Sequence, residues 1–337
     1  MKKILLLIML LIPFNVVAMS ASSMVAVDLD NDYVYFDANK DDKRLIASIT
    51  KIMTTIVTIE NIDIDKEITV GKEVLKAYGS AIYINVGEKI TIRDLLYGLI
   101  MRSGNDAAVV LAKNVAGSME GFAHLMNELA SNIGMKNSNF VNAHGLEEND
   151  GSANYSTAYD MALITKYAMN NKTFREIFGT KNYVAKSSDK TYRWTNKNKL
   201  LHSEDYITGG KTGFTKKARR TLVTTASRNN INVVVVTLND GNDFLDHKNM
   251  YEEIFRNYED FKKKINDMVL NDDEKILEIA QLFFEDIRVE SIKDDETDQK
   301  VILHAKLNVS NSKDDTFDFN KFLLLFCSRQ GCSGCFS

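Results

Sequence analysis

Proline is nearly absent from this chain, and cysteine and tryptophan are rare. The 337 residues include one proline, Pro13, and one tryptophan. There are three cysteines, and all three lie at or after residue 327. Disulfide bonds therefore cannot hold the main body of the chain together. Its fold must rest on a hydrophobic core, and 45% apolar residues in a chain of this length allow more than one domain.

An excess of positive charge is also missing. The formal net charge is −4, which argues against nucleic acid as the main partner. The balance is uneven along the chain, since residues 259–321 contain 10 Lys and Arg against 17 Asp and Glu. The remainder is slightly basic. This shift in composition predicts a domain boundary near residue 259, which separates a large domain at 19–258 from a small C-terminal domain or tail at 259–337.

The N-terminus carries a long apolar run. Lys2 and Lys3 precede an almost pure Leu, Ile and Met stretch over residues 4–12, and small residues then lead to a predicted cut after Ala18. We therefore predict a signal peptide over residues 1–18 and export from the cytoplasm. The apolar run is short for a membrane-spanning helix, which favours cleavage over retention as an anchor, the alternative that stays open.

Strand patterns stand at both ends of residues 24–258, and helical patterns lie between them. Alternation predicts a hairpin from residues 24–29 and 33–36, and a later strand over 222–227. Four consecutive valines at 233–236 predict a buried strand, because β-branched side chains favour strands. Apolar spacing predicts that much of 89–190 is helical, with individual helices at 48–59, 91–101, 105–116, 157–170 and 245–258.

The two sets of strands are expected to join. An isolated N-terminal hairpin is barely stable and needs the later strands beside it. We therefore predict an α+β fold in which one antiparallel sheet is built from both ends of the chain, with helices packed on it and a helical insertion. Two independent domains are the alternative.

The first motif is Ser48-Ile49-Thr50-Lys51, where a polar loop meets an apolar helix. A serine hydroxyl is a poor nucleophile until a base takes its proton, and a spacing of three places both side chains on one helical face. We predict Ser48 as nucleophile and Lys51 as general base. Burial and a second cation, for which Lys211 is the candidate, would lower the pKa of Lys51. The alternative is a helix cap and a solvated lysine.

Two further motifs follow in the chain. In Ser103-Gly104-Asn105, Ser103 is predicted to relay a proton between Lys51 and a leaving amine, and Asn105 to donate to a substrate carbonyl, although either could simply cap a helix. In Lys211-Thr212-Gly213, which leads into a strand, Lys211 and Thr212 are predicted to bind a carboxylate. Gly213 lets a peptide backbone approach closely.

These motifs, in this order, resemble those of the active-site serine penicillin-recognising enzymes. The chain looks most like the serine-type D-alanyl-D-alanine carboxypeptidases, which are low-molecular-mass penicillin-binding proteins, and the resemblance covers residues 24–258. It implies a β-lactamase/transpeptidase-like fold, in which a five-stranded antiparallel sheet is flanked by helices with a helical subdomain, followed by a small C-terminal β-containing region. Further matching segments are residues 47–54, 144–146, 155–160 and 209–215.

The resemblance implies removal of the terminal D-Ala from peptidoglycan stem pentapeptides through an acyl-enzyme on Ser48. Backbone amides of Ser48 and Phe214 would form the oxyanion hole. Some relatives have histidine at the position of Phe214, which puts any imidazole role there in doubt. The implied partners are stem peptides and, as covalent inhibitors, β-lactams, with a membrane surface left open. No cofactor, metal or nucleic acid is expected, and the location would be the cell wall or the outer face of the cytoplasmic membrane.

Other predictions concern the branch, the competing activities and the C-terminus. Leu238-Asn239-Asp240 followed by Asp246-His247 looks most like the sporulation-type branch of Gram-positive spore formers. A class A-like β-lactamase, a D,D-transpeptidase and a non-enzymatic wall-binding protein are the alternatives.

Residues 301–309 predict a strand, and the three late cysteines have no nearby fourth ligand for a metal. A truncated or altered reading frame is the alternative explanation of that end.

Overall fold

A computed structural model gives the backbone of most of the chain. It describes residues 19–269, 284–293 and 299–307, with side chains up to residue 259. The predicted signal peptide and the three cysteines lie outside the described residues. The chain divides into two compact units, one with residues 34–253 and the segment up to Leu29, the other with residues 30–33 and the part from Ile254 onward.

The described residues form thirteen strands and eight α-helices. The strands are β1 Ser23–Asp28, β2 Val34–Ala38, β3 Arg44–Leu45, β4 Glu67–Thr69, β5 Lys89–Thr91, β6 Tyr155–Ser156, β7 Asn182–Lys186, β8 Thr191–Thr195, β9 Ile207–Thr215, β10 Arg219–Arg228, β11 Ile231–Leu238, β12 Phe284–Lys293 and β13 Gln299–Leu307. The helices are α1 Lys51–Asn61, α2 Ile92–Arg102, α3 Asn105–Ala116, α4 Met119–Asn132, α5 Ala158–Met169, α6 Lys172–Phe178, α7 Leu200–Ser203 and α8 Asp243–Val269. Two 3-10 helices span Ala47–Thr50 and Lys72–Lys76.

Five strands of the first unit form one antiparallel sheet in the order β2-β1-β11-β10-β9. In the pairing of β1 with β11, Val25 lies opposite Val236, and in the pairing of β10 with β11, Val223 lies opposite the same residue. The four valines from Val233 to Val236 are fully buried, because β11 is the central strand. The predicted α+β fold, with one five-stranded antiparallel sheet built from both ends of the chain, is confirmed.

Helix α1 is the central helix of the first unit. Its residues from Lys51 to Thr58 are all buried, the polar ones included. It contacts α2, α3, α4, α5 and α6. Because the helix is enclosed in this way, the side chain of its first residue, Lys51, is removed from water.

The start of α1 differs from the predicted helix over 48–59. Ser48 lies in the 3-10 helix Ala47–Thr50, and the α-helix begins only at Lys51. Ala47 has a φ of 50°, in the left-handed region, which tightens the chain into this turn. Residues three apart in a 3-10 helix eclipse one another, so Ser48 and Lys51 still share a face.

A β-hairpin lies at the end of the region 89–190, much of which is helical as predicted. Strands β7 and β8 pair from Asn182 opposite Thr195 to Lys186 opposite Thr191. In β8, Tyr192 and Trp194 are buried while their neighbours are exposed. This alternation has a period of two, which is typical of a strand, and the sequence analysis did not identify it.

The C-terminal helix continues beyond the predicted end of the catalytic domain. The sequence placed the last helix at 245–258, whereas α8 runs from Asp243 to Val269. The domain boundary near residue 259 stays a prediction, and the two compact units divide between Glu253 and Ile254. In the second unit, β13 covers most of the strand predicted at 301–309 and pairs with β12. Within the described ranges, no helix is long and apolar enough to cross a membrane.

Candidate active site

The predicted nucleophile and base are in contact. Lys51 Nζ lies 3.1 Å from Ser48 Oγ. The same Nζ donates to Asn105 Oδ1 at 2.8 Å and to the carbonyl oxygen of His144 at 2.6 Å. Three acceptors match the three protons of an ammonium group, so the amine is held in one position facing the hydroxyl.

Burial and neighbouring cations act on the proton affinity of Lys51. The side chain is fully buried, and this burial holds the pKa of Lys51 well below its ordinary value. The charges of Lys211 and Lys197 lower the pKa further, while Asp106 opposes them. Lys51 therefore loses its proton at a lower pH than a solvated lysine does, which gives the neutral amine that a general base requires. Lys211 was expected from the sequence as the second cation, and Lys197 was not.

Lys211 projects from the edge strand β9 and is 1% exposed. Its Nζ donates to Ser103 Oγ at 3.1 Å and to the carbonyl of Thr212 at 2.6 Å. Burial, with a contribution from Lys197, lowers the pKa of Lys211 to about 7. The lysine of the third motif is thus joined directly to the serine of the second.

The second motif occupies the junction between α2 and α3. Ser103 ends α2 with a φ of 63°, a strained conformation for a residue with a side chain, and Asn105 begins α3. The structure bonds the Ser103 hydroxyl to Lys211, and it is Asn105 that Lys51 contacts. Asn105 Nδ2 donates one of its two N–H groups to the carbonyl of Tyr78 at 2.6 Å.

Asp106 is a site residue that the sequence analysis missed. Its buried carboxylate accepts the backbone N–H groups of Ile82 at 3.0 Å and Tyr83 at 2.7 Å. These bonds fix the loop beside Asn105, whose own N–H donates to the carbonyl of Ser80. An acidic residue in the first turn of a helix, directly after the motif, was the available signal, although it usually indicates only a favourable charge at the helix end.

Gly213 is needed by the architecture of the site itself. A Cβ atom there would stand 2.4 Å from Thr221 Oγ1 and 2.9 Å from the backbone nitrogen of Ser48. Strand β9 therefore passes directly against the turn that carries the nucleophile. Because β9 lies at the edge of the sheet, one row of its backbone groups is open to an extended peptide. The neighbouring Phe214 side chain is 61% exposed.

His144 contacts Lys51 through its backbone and not through its ring. Nδ1 of the ring accepts the N–H of Leu146 at 3.1 Å, and burial, followed by the charge of Lys51, lowers the pKa of His144 to about 3. The imidazole is therefore neutral at physiological pH.

Gly145 offers a test of how tightly this turn is packed. Its φ is +86°, and a Cβ atom would lie 2.0 Å from the carbonyl oxygen of Ala47. Gly145→Ala should add a steric cost of about 1–3 kcal/mol to a left-handed strain of about 1–2 kcal/mol, and it should slow acylation by displacing the residue before Ser48. Chemical denaturation and the rate of β-lactam labelling measure these effects.

The matched control for this substitution is Gly134→Ala. Gly134 has a φ of +83° with no atom within 4 Å of the added Cβ, so it carries the strain without the clash. Equal losses of stability in the two variants would contradict the assignment of close packing at Gly145.

Comparison with known proteins gives matches over the part of the chain that contains these residues. The family model for D-alanyl-D-alanine carboxypeptidase, peptidase S11, matches residues 13–242. The chain is 32% identical to the D-alanyl-D-alanine carboxypeptidase DacF of Bacillus subtilis, over 65% of this chain and 57% of that protein. It is 36% identical to a D-alanyl-D-alanine carboxypeptidase of Streptomyces strain K15, over 59% of this chain and 73% of that one. The chain thus spans little more than half the length of DacF.

The fold agrees with solved structures of the same group. The crystal structure of the Streptomyces K15 DD-transpeptidase aligns with a TM-score of 0.67 at 32% identity, covering 71% of this chain and 98% of that one. A D-alanyl-D-alanine carboxypeptidase from Mycobacterium tuberculosis aligns with a TM-score of 0.64 at 27% identity, covering 68% and 87%. With the family model matching more than half of its length, this chain belongs to the D-alanyl-D-alanine carboxypeptidase family of serine peptidases, peptidase family S11.

Proposed function

We propose that the chain is a serine D-alanyl-D-alanine carboxypeptidase that removes the terminal D-Ala from peptidoglycan stem pentapeptides and is acylated by penicillin. The observation that carries the proposal is the 3.1 Å contact of Ser48 Oγ with Nζ of a fully buried Lys51 whose pKa is lowered. A serine hydroxyl beside a lysine that can be neutral is an activated nucleophile.

The reaction proceeds in two steps. Neutral Lys51 accepts the proton of Ser48 while Oγ attacks the carbonyl carbon of the scissile peptide bond, and the backbone N–H groups of Ser48 and Phe214 receive the oxyanion. The C–N bond then breaks as protonated Lys51 returns its proton to the leaving amine by way of the Ser103 hydroxyl, which also accepts a hydrogen bond from Lys211, and Lys51 is neutral again. An ester on Ser48 and free D-Ala result. Water then attacks the ester carbonyl while Lys51 accepts one of its protons, the C–O bond to Ser48 breaks, and Lys51 returns that proton to Oγ.

The edge strand β9 and the start of α3 hold the substrate in this proposal. An extended peptide adds to the open edge of β9, where Gly213 keeps the strand close to Ser48. Asn105 donates its remaining amide N–H to a substrate carbonyl. Lys211 and Thr212 bind the terminal carboxylate, and the nearby charge of Lys197 strengthens the attraction for an anionic chain end.

The role of Lys211 gives a substrate-dependent expectation. Lys211→Gln should reduce turnover of a peptide with a free C-terminal carboxylate much more than turnover of the corresponding C-terminal amide, because only the first loses a charge partner. The measurement is kcat/KM for both peptides. Lys216→Gln, which changes an exposed lysine of the adjoining hairpin, is the matched control. Equal losses of kcat/KM on the two peptides would contradict the assignment of Lys211 as the group that binds the C-terminal carboxylate.

Among the alternatives, a class A-like β-lactamase needs a base that activates the deacylating water. The carboxylate of Asp106 accepts from the backbone of Ile82 and Tyr83 and is therefore occupied. This occupation favours the carboxypeptidase. A D,D-transpeptidase would use the same acylation and differ in the acceptor, and a wall-binding protein without activity would not need the contact of Ser48 with Lys51.

One experiment separates these activities. Intact-mass spectrometry after incubation with penicillin should detect a lasting adduct, and incubation with a pentapeptide ending in D-Ala-D-Ala should release D-Ala. Adding a D-amino acid as acceptor should leave hydrolysis as the main outcome. Rapid turnover of penicillin without a lasting adduct would instead indicate a β-lactamase, and an exchanged peptide as the main product a transpeptidase. Absence of both adduct and peptide product would refute the proposal.

We further propose the cellular context. Residues 1–18 act as a cleaved signal peptide, residues 19–258 form the catalytic domain, and residues 259–337 hold it near the membrane surface or wall. The protein then acts at the cell wall or the outer face of the cytoplasmic membrane. We also propose a place in the sporulation-type branch, which rests on the resemblance of Leu238-Asn239-Asp240 and Asp246-His247.

A further inference from the structure

A pair of buried carboxylates receives the first described residues of the chain. Asp240, which follows β11, and Asp246 in α8 are 1% and 3% exposed. The Ser20 hydroxyl donates to Asp240 Oδ1 at 2.5 Å and lies 3.0 Å from Asp246 Oδ2. The backbone N–H of Ser20 donates to the same Oδ2 of Asp246 at 2.7 Å. A segment at the N-terminus is thus bound where β11 turns into α8.

The carboxylate pair is not fully satisfied by these bonds. Asp240 Oδ1 also accepts the N–H of Asn242 at 2.9 Å, but the buried Oδ2 of Asp240 has no hydrogen-bond partner within the described part of the chain. The third acid of this region, Asp243, is paired with Arg220 at 2.6 Å. Burial, and after it the charge of Asp246, raise the pKa of Asp240, while hydrogen bonds from Ser20, Asn242 and Thr237 oppose this rise.

Chain geometry places one specific cation here. Consecutive residues span at most about 3.6 Å, so the nitrogen of Met19 lies within about 3.6 Å of the Ser20 nitrogen. Since that nitrogen is 2.7 Å from Asp246 Oδ2, the Met19 nitrogen lies within about 6.3 Å of that oxygen, at the outer limit of the range in which opposite charges act on one another. In the unprocessed chain this atom is an uncharged amide, whereas cleavage after Ala18 converts it into an ammonium group.

We propose that Asp240 and Asp246 form a receptor for the α-ammonium group of Met19, so that removal of the leader completes the fold at this corner. The group supplies the missing charge and N–H donors for Asp240 Oδ2. It also fixes the start of β1 against β11 and α8, beside the bonds from Ser22 N–H to the carbonyls of Leu238 and Asn239. The inference rests on the proposed cleavage site and not on the proposed catalysis.

The charge of the amine determines the pH dependence. Facing charges come from Asp240, Asp243 and Asp246 and from Arg220 on β10. Their balance is negative, so the folded-state pKa of the amine should rise above its ordinary value of about 7.7–8.0. The stabilisation is then fully present below that ordinary value and is lost as pH rises through the higher folded-state value.

Three forms of the leader-free chain 19–337 test the receptor. One begins with a free amine at Met19, the second is acetylated at that amine, and the third carries Gly-Gly before Met19, which keeps a charge but moves it away. At pH 7 we expect the free-amine form to melt about 2–4 °C above both others. NMR of the labelled amine should place its pKa about one unit above the ordinary value.

Asp240→Asn is the matched variant, because it keeps the bonds of Oδ1 and removes the charge. In that background the advantage of the free-amine form should disappear. Equal melting temperatures of the three forms, or an ordinary pKa of the amine, would overturn the proposal. N-terminal sequencing of the exported protein checks the cleavage site separately, and a start other than Met19 would also overturn it. Penicillin labelling should be equal in all forms, so failure here is distinguishable from failure of the proposed activity.

Discussion

Ser48→Ala should abolish covalent labelling by penicillin while the protein remains folded. The expected loss is complete, because no bond to the acyl group can form without Oγ. The side chain lies in the 3-10 helix before α1, where it accepts a hydrogen bond from Lys51, so its removal costs little packing. Intact-mass spectrometry after incubation with penicillin measures the adduct, and circular dichroism with thermal melting checks the fold.

The control is Ser188→Ala, which removes an exposed hydroxyl in the turn between β7 and β8. This variant should be labelled at the wild-type rate. An adduct that persists at that rate in Ser48→Ala, or a labelled peptide that excludes residue 48, would assign the nucleophile elsewhere and with it refute the proposed mechanism.

Replacing Lys51 by alanine should lower the acylation rate at least about 100-fold, the typical loss for a removed general base. The wild-type rate should rise with pH as the neutral amine forms, in a range below that of an ordinary lysine, because burial and then Lys211 lower the pKa of Lys51. Stopped-flow acylation over a range of pH gives both quantities.

Lys51→Arg separates basicity from charge. A guanidinium group keeps the positive charge and hydrogen bonds but does not lose its proton in this pH range. It should therefore be as impaired as the alanine variant. Because Lys51 is fully buried with three acceptors, both variants need a melting measurement beside the rates. A folded Lys51→Arg enzyme with near wild-type acylation would show that Lys51 acts by charge alone.

Local patterns in the sequence determined much of this protein. The run from Val233 to Val236 predicted a buried strand, and it became the central strand of the sheet. A helix was predicted from residue 157, and the Thr157 hydroxyl caps it by accepting the N–H of Asp160 at 3.0 Å, although the Asp160 carboxylate accepts from Asn137 and does not close a reciprocal cap. Such features depend on neighbours within a few residues, which a sequence displays directly.

The spacing of residues also predicted which side chains lie close together, but only for residues within the same motif. Ser48 and Lys51 are three residues apart, so any helical turn brings them to one face. The hairpin β7–β8 was missed because its five-residue strands carry only a short alternation inside a region rich in helical patterns.

The tertiary structure alone decided the electrostatics of the site. The lowered pKa of Lys51 arises from complete burial in a central helix and from Lys211 and Lys197, which lie 160 and 146 positions further along the chain. Asp106 and the pairing of Ser20 with Asp240 and Asp246 are likewise contacts between distant segments. The sequence by itself determined which groups could react, because residue type and local spacing set that. Their proton affinities depend on desolvation and charge in three dimensions, and so only the assembled fold could fix them.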